Sequence, residues 1–103
     1  HDALPIFINK KMKTTIENSL EALEIVLPEL NKLDFENQEE IKNKFIELAK
    51  ENEKKNGQIM YPIRVALTFK AFTPGGAVEI AHILGKNETI KRIKEAIDNL
   101  KNL

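Results

Sequence analysis

Tyr61, Phe69 and Phe72 lie among Arg64 and Lys70, so half of the chain's six aromatic residues fall within twelve positions. Single-stranded RNA bases stack on aromatic or guanidinium planes, and their exposed edges take hydrogen bonds. Arg64 offers a planar fork of donors suited to a base edge or a phosphate. The turn Thr73-Pro-Gly-Gly76 follows directly, just before an expected helix. Such a turn exposes backbone groups and a hydroxyl that can donate to phosphate or read a base through the main chain. The same residues also have a packing reading. Tyr61 and Phe69 would then be core residues, Arg64 a partner of Glu79, and Thr-Pro-Gly a simple helix start. Arginine beside aromatics is common at any helical surface, so the residues by themselves leave both readings open.

Other chemistries lack their residues. There is no phosphate-cradling Gly-x-x-x-x-Gly-Lys loop, no Gly-x-Ser-x-Gly elbow and no His-Glu-x-x-His pair. Only His1 and His82 could act as imidazole bases or ligands. His82, between Ala81 and Ile83, has no second ligand or nucleophile with it and reads as a structural histidine, partly buried or at the surface. No catalytic residue, metal site or bound cofactor is therefore expected within this chain. Cysteine is absent, which removes disulfide and thiolate chemistry and fits a reducing cytoplasm. No apolar run approaches the roughly eighteen residues of a membrane span, and no signal-peptide pattern opens the chain, so a cytoplasmic location without membrane contact is expected.

The elements that must position these residues read as helical. Met12, Ile16, Leu20, Leu23, Leu27 and Leu30 form a stripe that predicts a first helix from about Lys10 towards Asn31, with a kink or a new short helix at Pro28. Asn37 is an N-cap with Glu40 placed to complete a capping box, and Ile41, Phe45, Leu48 and Ala49 predict the inner face of a second helix. Gly57 is expected to end its last turn in a left-handed conformation. The two helices are expected to pair as an antiparallel hairpin. Pro62 suits the first turn of a third helix through about Phe69, buried on most sides because Val65, Ala66 and Leu67 are consecutive. A fourth helix runs from about Gly76 to Leu84 and stops at Gly85. A fifth opens at Asn87, with Ile90, Ile93, Ile97 and Leu100 inside. Strand-like alternation is missing, and the expected fold is all-α: a small bundle of about five helices, an N-terminal hairpin and three shorter ones.

At 103 residues, 42% hydrophobic and 31% charged, the chain has the composition of one soluble globular domain. Its first residue is His1, not Met, which suggests an excised domain or a tag remnant. Formal charge is zero overall but unevenly placed. Residues 1–57 hold nine Lys/Arg against twelve Asp/Glu, a net −3, and residues 58–103 hold seven against four, a net +3. A nucleic-acid partner is therefore expected at the second half, with residues 1–57 as a helical hairpin scaffold and residues 58–103 as the contacting subdomain.

Several motifs recur in order from residue 57 onward: Gly57-Gln-Ile-Met60, Pro62-Ile-Arg-Val-Ala-Leu-Thr68, Thr73-Pro-Gly75, Glu79-Ile80, Ile83-Leu-Gly-Lys86 and Arg92-Ile-Lys-Glu-Ala-Ile97. In this order they resemble the end of bacterial-type glutamyl-tRNA synthetases, where Pro-Leu-Arg-x-Ala-Leu-Thr-Gly precedes a Pro-Gly turn and a Leu-Leu-Gly-Lys helix end. The specific part of the similarity lies in residues 57–97, and residues 10–53 match only as an upstream amphipathic hairpin. The resemblance implies an α-helical anticodon-binding cage of the class I type, a glutamate-specific tRNA as partner and further synthetase domains in cis. The parent would be a ligase that uses ATP and Mg²⁺, this portion being non-catalytic, with no role for DNA. It places Arg64, Thr73, Pro74 and Gly75 against the anticodon bases, with Ala77 and Val78 as apolar neighbours and Tyr61 immediately before the motif proline.

Three departures from the family's pattern stand out. Phe69-Lys70 stands where Gly-Arg or Gly-Ser is common, Gly76 is an additional glycine, and Ala77-Val78 are smaller than the usual apolar pair. Two short strings echo synthetase signatures without matching them. His82-Ile-Leu-Gly85 lacks the second histidine of the class I motif, and Lys11-Met-Lys-Thr14 diverges from the mobile Lys-Met-Ser-Lys-Ser loop. The alternative to RNA reading is a helical protein-interaction or scaffold module of a multidomain protein.

Overall fold

A computed structural model describes residues 4–103. After a single 3-10 turn at Leu4–Phe7 come α1 (Ile16–Leu30), α2 (Gln38–Glu51), α3 (Asn56–Thr68), α4 (Ala77–Leu84) and α5 (Lys86–Lys101). Among the described residues the only β-type pairing is an isolated bridge between Asn9 and Thr14. The all-α expectation of about five helices is borne out. His1, read as a possible imidazole, lies outside the described residues.

Helix α1 begins later than its apolar period suggests, because capping chemistry overrides periodicity at Thr15. The Asn18 amide donates to Thr15 Oγ1 at 3.0 Å, and the Thr15 amide donates to Asn18 Oδ1 at 2.7 Å. This reciprocal box satisfies two amides that would otherwise lack partners. Residues 9–14 form a tight loop instead of helix. Asn9 and Thr14 exchange backbone hydrogen bonds, Lys13 is left-handed at φ 60°, and Thr14 Oγ1 donates to the Phe7 carbonyl at 2.7 Å. The buried face of α1 is Ser19, Ala22, Leu23, Val26 and Leu30, while Ile16, Leu20 and Leu27 pack only at its margin. Pro28 neither ends the helix nor starts a new one. It is exposed, and α1 continues through it to Leu30.

Asn37 caps α2 as expected, its Oδ1 accepting from the Glu40 amide at 3.1 Å. The return half of the box does not form, because Glu40 Oε2 accepts from the Asp34 amide at 2.7 Å. Ile41, Phe45, Leu48 and Ala49 are all buried. The left-handed residue that ends α2 is Glu53 (φ 55°), not Gly57. The Lys54 amide reaches the Ala49 carbonyl at 2.8 Å and the Glu53 amide reaches Lys50 at 3.2 Å, the paired bonds of a Schellman ending.

Gly57 instead lies in the first turn of α3, which starts before Pro62. Gln58 explains that start: its Oε1 accepts from the Lys55 amide at 2.9 Å, and its Nε2 donates to the Lys13 carbonyl at 3.1 Å. Met12 packs across this turn, and a Cβ at Gly57 would lie 2.9 Å from its sulfur. Ile59, Tyr61, Pro62, Ile63, Val65, Ala66 and Leu67 are buried, so α3 is the central helix. The two N-terminal helices do not chiefly pair with each other. α1 lies against α3 and α5, and α2 lies against α3 and α4. A boundary at 57/58 therefore crosses the first turn of α3.

Helix α3 ends on Phe69 in the left-handed region (φ 56°), its amide donating to the Val65 carbonyl at 2.7 Å. The resembled family commonly has glycine there, and the backbone shows why: a side chain in this conformation costs about 1–2 kcal/mol. Phe69 is 42% exposed, so little packing offsets that cost. Phe69→Gly is expected to raise stability by about 1 kcal/mol, moving the melting temperature up by about 4–8 °C. A fall in thermal denaturation midpoint would mean that the ring's partial packing outweighs the strain.

Gly76 caps α4, and Gly85 (φ 84°) forms the corner between α4 and α5. His82 is the structural histidine expected. Its Nδ1 donates to the Phe35 carbonyl at 2.7 Å, tying α4 to the connection between α1 and α2. In α5, Ile93, Ile97 and Leu100 are buried with Thr89 and Ala96, while Ile90 is half-buried.

Candidate nucleic-acid interface

The segment from Phe69 to Gly76 joins α3 to α4, and side chains from α3 hold it in place. Arg64 Nη2 donates to the Ala71 carbonyl at 2.7 Å, Thr68 Oγ1 accepts from the Lys70 amide at 3.1 Å, and Thr73 Oγ1 donates to the Gly75 carbonyl. The loop is therefore tied to α3 at two places, Ala71 and Lys70, and braced within itself by Thr73. Thr68 is itself fixed, donating to the Arg64 carbonyl at 2.8 Å.

Tyr61 lies beneath this arrangement, only 4% exposed, and its hydroxyl donates to the Ile6 carbonyl at 2.7 Å. The Arg64 guanidinium carbon sits 5.4 Å from the Tyr61 ring centroid, within the range of a cation–π contact. Arg64 is half-buried, and its Nε is buried with no hydrogen-bond partner among the described residues. The Arg64–Glu79 pair considered from sequence does not form. Arg64 turns to the loop carbonyl, while the Glu79 carboxylate lies over Gly75, where a Cβ would come within 2.9 Å of Glu79 Oε2.

Two hollows border the loop. A cavity of about 240 Å³ is lined by Met12, Gly57, Met60, Tyr61, Arg64, Gly76 and Ala77. A more open groove of about 340 Å³ is lined by Lys70, Thr73, Pro74, Ile80 and Arg92 together with the end of α3. Of the residues expected from sequence, Arg64, Tyr61 and Ala77 thus meet at the cavity, and Thr73 and Pro74 meet at the groove. Pro74 is exposed, Gly75 and Val78 are half-buried, and Ala77 is buried.

Arg92 was legible from sequence only as part of an amphipathic tail. Its Nη1 donates to the Leu67 carbonyl at 2.6 Å, capping the end of α3, and its Nε donates to Glu88 Oε2 at 2.7 Å. The spacing of Glu88 four residues before Arg92 is the signal that marks this pair. The hydrogen bond from Arg92 holds the Glu88 carboxyl below the usual carboxylate range. Met12 and Met60 were also missed as lining residues, because only tertiary packing brings the 9–14 loop over α3.

Among the described residues no group of His, Cys, Asp or Glu could hold a metal ion, and no helix is long and apolar enough to cross a membrane. The arrangement presents an anchored loop, guanidinium donors and exposed turn backbone, suited to holding a planar ligand with hydrogen-bonding edges.

The chain is 56% identical over 97 residues to a glutamate–tRNA ligase of Clostridium tetani, covering 94% of this chain and 20% of that protein. It is 57% identical over 98 residues to the glutamate–tRNA ligase of Clostridium botulinum strain Hall, covering 95% and 20%. With that of Clostridium kluyveri it shares 48% over 96 residues, covering 93% and 20%. The chain thus spans about 20% of the length of the curated relatives it matches. No solved structure matches. Residues 3–97 match the sequence profile of the anticodon binding domain, and the chain belongs to that family.

Proposed function

We propose that this chain is the anticodon-reading part of a glutamate–tRNA ligase, with the remaining synthetase domains in cis carrying out the chemistry with ATP and Mg²⁺ in the cytoplasm. The observation that carries the reading is the loop 69–76, held by Arg64 between two hollows on a domain of the anticodon-binding family. Residues 58–103 contact the tRNA, and residues 1–57 serve as scaffold.

In this reading Arg64 spends one Nη2 bond on the loop and turns the other donors at the tip of its guanidinium to a base edge. Thr73, Pro74 and Gly75 present a hydroxyl, an apolar face and backbone groups to the neighbouring base. Tyr61 and Ala77 wall the cavity, and Val78 supplies apolar contact beside it. Selectivity follows from pairing: the correct base satisfies buried polar groups that a wrong base leaves without partners.

Titration of the chain with anticodon stem-loops tests this directly. A glutamate anticodon should bind more tightly than one with a changed base, and equal binding or none would favour a protein-docking module. Thr73→Val should reduce that discrimination by about two- to tenfold, the worth of one neutral hydrogen bond, with a smaller effect on the melting temperature. A large loss of stability with discrimination intact would assign the Thr73 hydroxyl to folding alone.

A further inference from the structure

We infer that Phe72 is a stacking platform for an unpaired nucleotide base, a contact that adds affinity for the tRNA without choosing its anticodon. The inference rests on the anticodon-reading proposal and goes beyond it by separating residues that hold RNA from residues that read it.

Three aromatics compete for a stacking role in this segment, and the structure separates them. The Tyr61 ring is buried and its hydroxyl is engaged by Ile6. Phe69 is the left-handed end of α3 and is 42% exposed. Phe72 is 88% exposed, the most exposed of the large hydrophobic residues described. An apolar ring left so open on a slack loop would mean little. Here the backbone on both sides is anchored, with the Ala71 carbonyl held by Arg64 and the Thr73 side chain bonded to the Gly75 carbonyl. The ring is thus carried between two hydrogen-bonded points, a restraint that reduces the entropy lost on binding.

Charge around the ring favours a polyanion as the occupant. Lys70 is exposed and makes no ion pair among the described residues. It shares the adjoining groove with Thr73 and Arg92. Arg64 bonds to a neutral carbonyl and makes no ion pair among the described residues, Arg92 is paired with Glu88, and the Glu79 carboxylate lies over Gly75. An exposed aromatic ring in the same loop as a groove-lining lysine suits single-stranded nucleic acid, which is bound by stacking of bases and by cations along the phosphates. Every base has a π-face, so stacking tolerates sequence. That tolerance makes the inference separable from anticodon reading.

The test uses the 103-residue chain and two stem-loops, one with a glutamate anticodon and one with a changed base. Phe72→Ala should weaken binding of both by the same factor, about five- to hundredfold, with the melting temperature unchanged. Phe72→Leu, which keeps apolar bulk without a π-face, should lose as much. Phe72→Trp should retain affinity, and because the chain has no other tryptophan its emission should be quenched as RNA saturates. Wild-type discrimination between anticodons with undiminished binding by Phe72→Ala would overturn this inference and leave the anticodon-reading proposal standing. Full retention by Phe72→Leu would show that apolar bulk without a π-face suffices for the RNA contact and would overturn the stacking role too. Failure of the wild-type chain to bind either RNA would overturn both.

Discussion

Arg64→Ala is expected to weaken tRNA binding by about five- to hundredfold, the worth of one base or phosphate contact. The side chain serves two roles, and its loss should be felt in both. Its Nη2 holds the Ala71 carbonyl, and its guanidinium lies over the Tyr61 ring. Removing these should lower stability by about 1 kcal/mol, the net worth of one hydrogen bond. The larger effect should fall on RNA, since a loosened 69–76 loop no longer presents Thr73 and Pro74 together. In a full-length ligase of the kind proposed, the change should appear in kcat/KM for tRNA, with KM for ATP and glutamate nearly unchanged. Arg64→Lys should not restore function, because an ammonium cannot hold the loop carbonyl and a base edge as a planar fork does. Unchanged tRNA kinetics combined with a sharp fall in melting temperature would assign Arg64 to structure alone.

The opposite signature is expected at Phe45. This ring is fully buried on α2 and lines neither hollow at the loop. Phe45→Ala removes the whole ring from the core and should destabilise by about 3–5 kcal/mol. That is a large share of the roughly 5–15 kcal/mol that holds a domain together. The melting temperature should fall by at least about 12 °C, measured by circular dichroism at 222 nm. At a temperature where the variant remains folded, its discrimination between anticodons should match that of the parent chain. Loss of discrimination in the folded variant would show that α2 shapes the reading surface, against the division into scaffold and contacting subdomain.

The contrast between these two residues follows from what each is made to touch, and only part of that is local. The apolar stripe of α2 and its Asn37 cap were legible in sequence because both depend on neighbours within one or two turns. Gly76 and Gly85 marked the bounds of α4 for the same reason. The Arg64 and Thr73-Pro-Gly signals were legible as chemistry, since a guanidinium and an exposed turn carry their donors wherever they sit. The start of α1 was hidden by an apolar period that continues through Met12, although Thr15 and Asn18 form the stronger local cap. The start of α3 was hidden because Pro62 suits a first turn equally well, whereas Gln58 ties that turn to Lys13, 45 residues away in sequence.

The chain by itself therefore determined helix content, most caps and the residue types gathered before α4, because these follow from short-range sterics and hydrogen bonding. Tertiary structure alone decided that α1 packs on α3 and α5, that the Tyr61 hydroxyl is bound to Ile6 across 55 residues, and that Arg92 caps α3 across 25. It also decided that Arg64 holds the loop instead of pairing with Glu79, and that Phe72, not Tyr61, presents its ring to solvent. Burial of one aromatic and exposure of another within the same twelve residues depends on which surfaces other helices cover, and no local pattern encodes that.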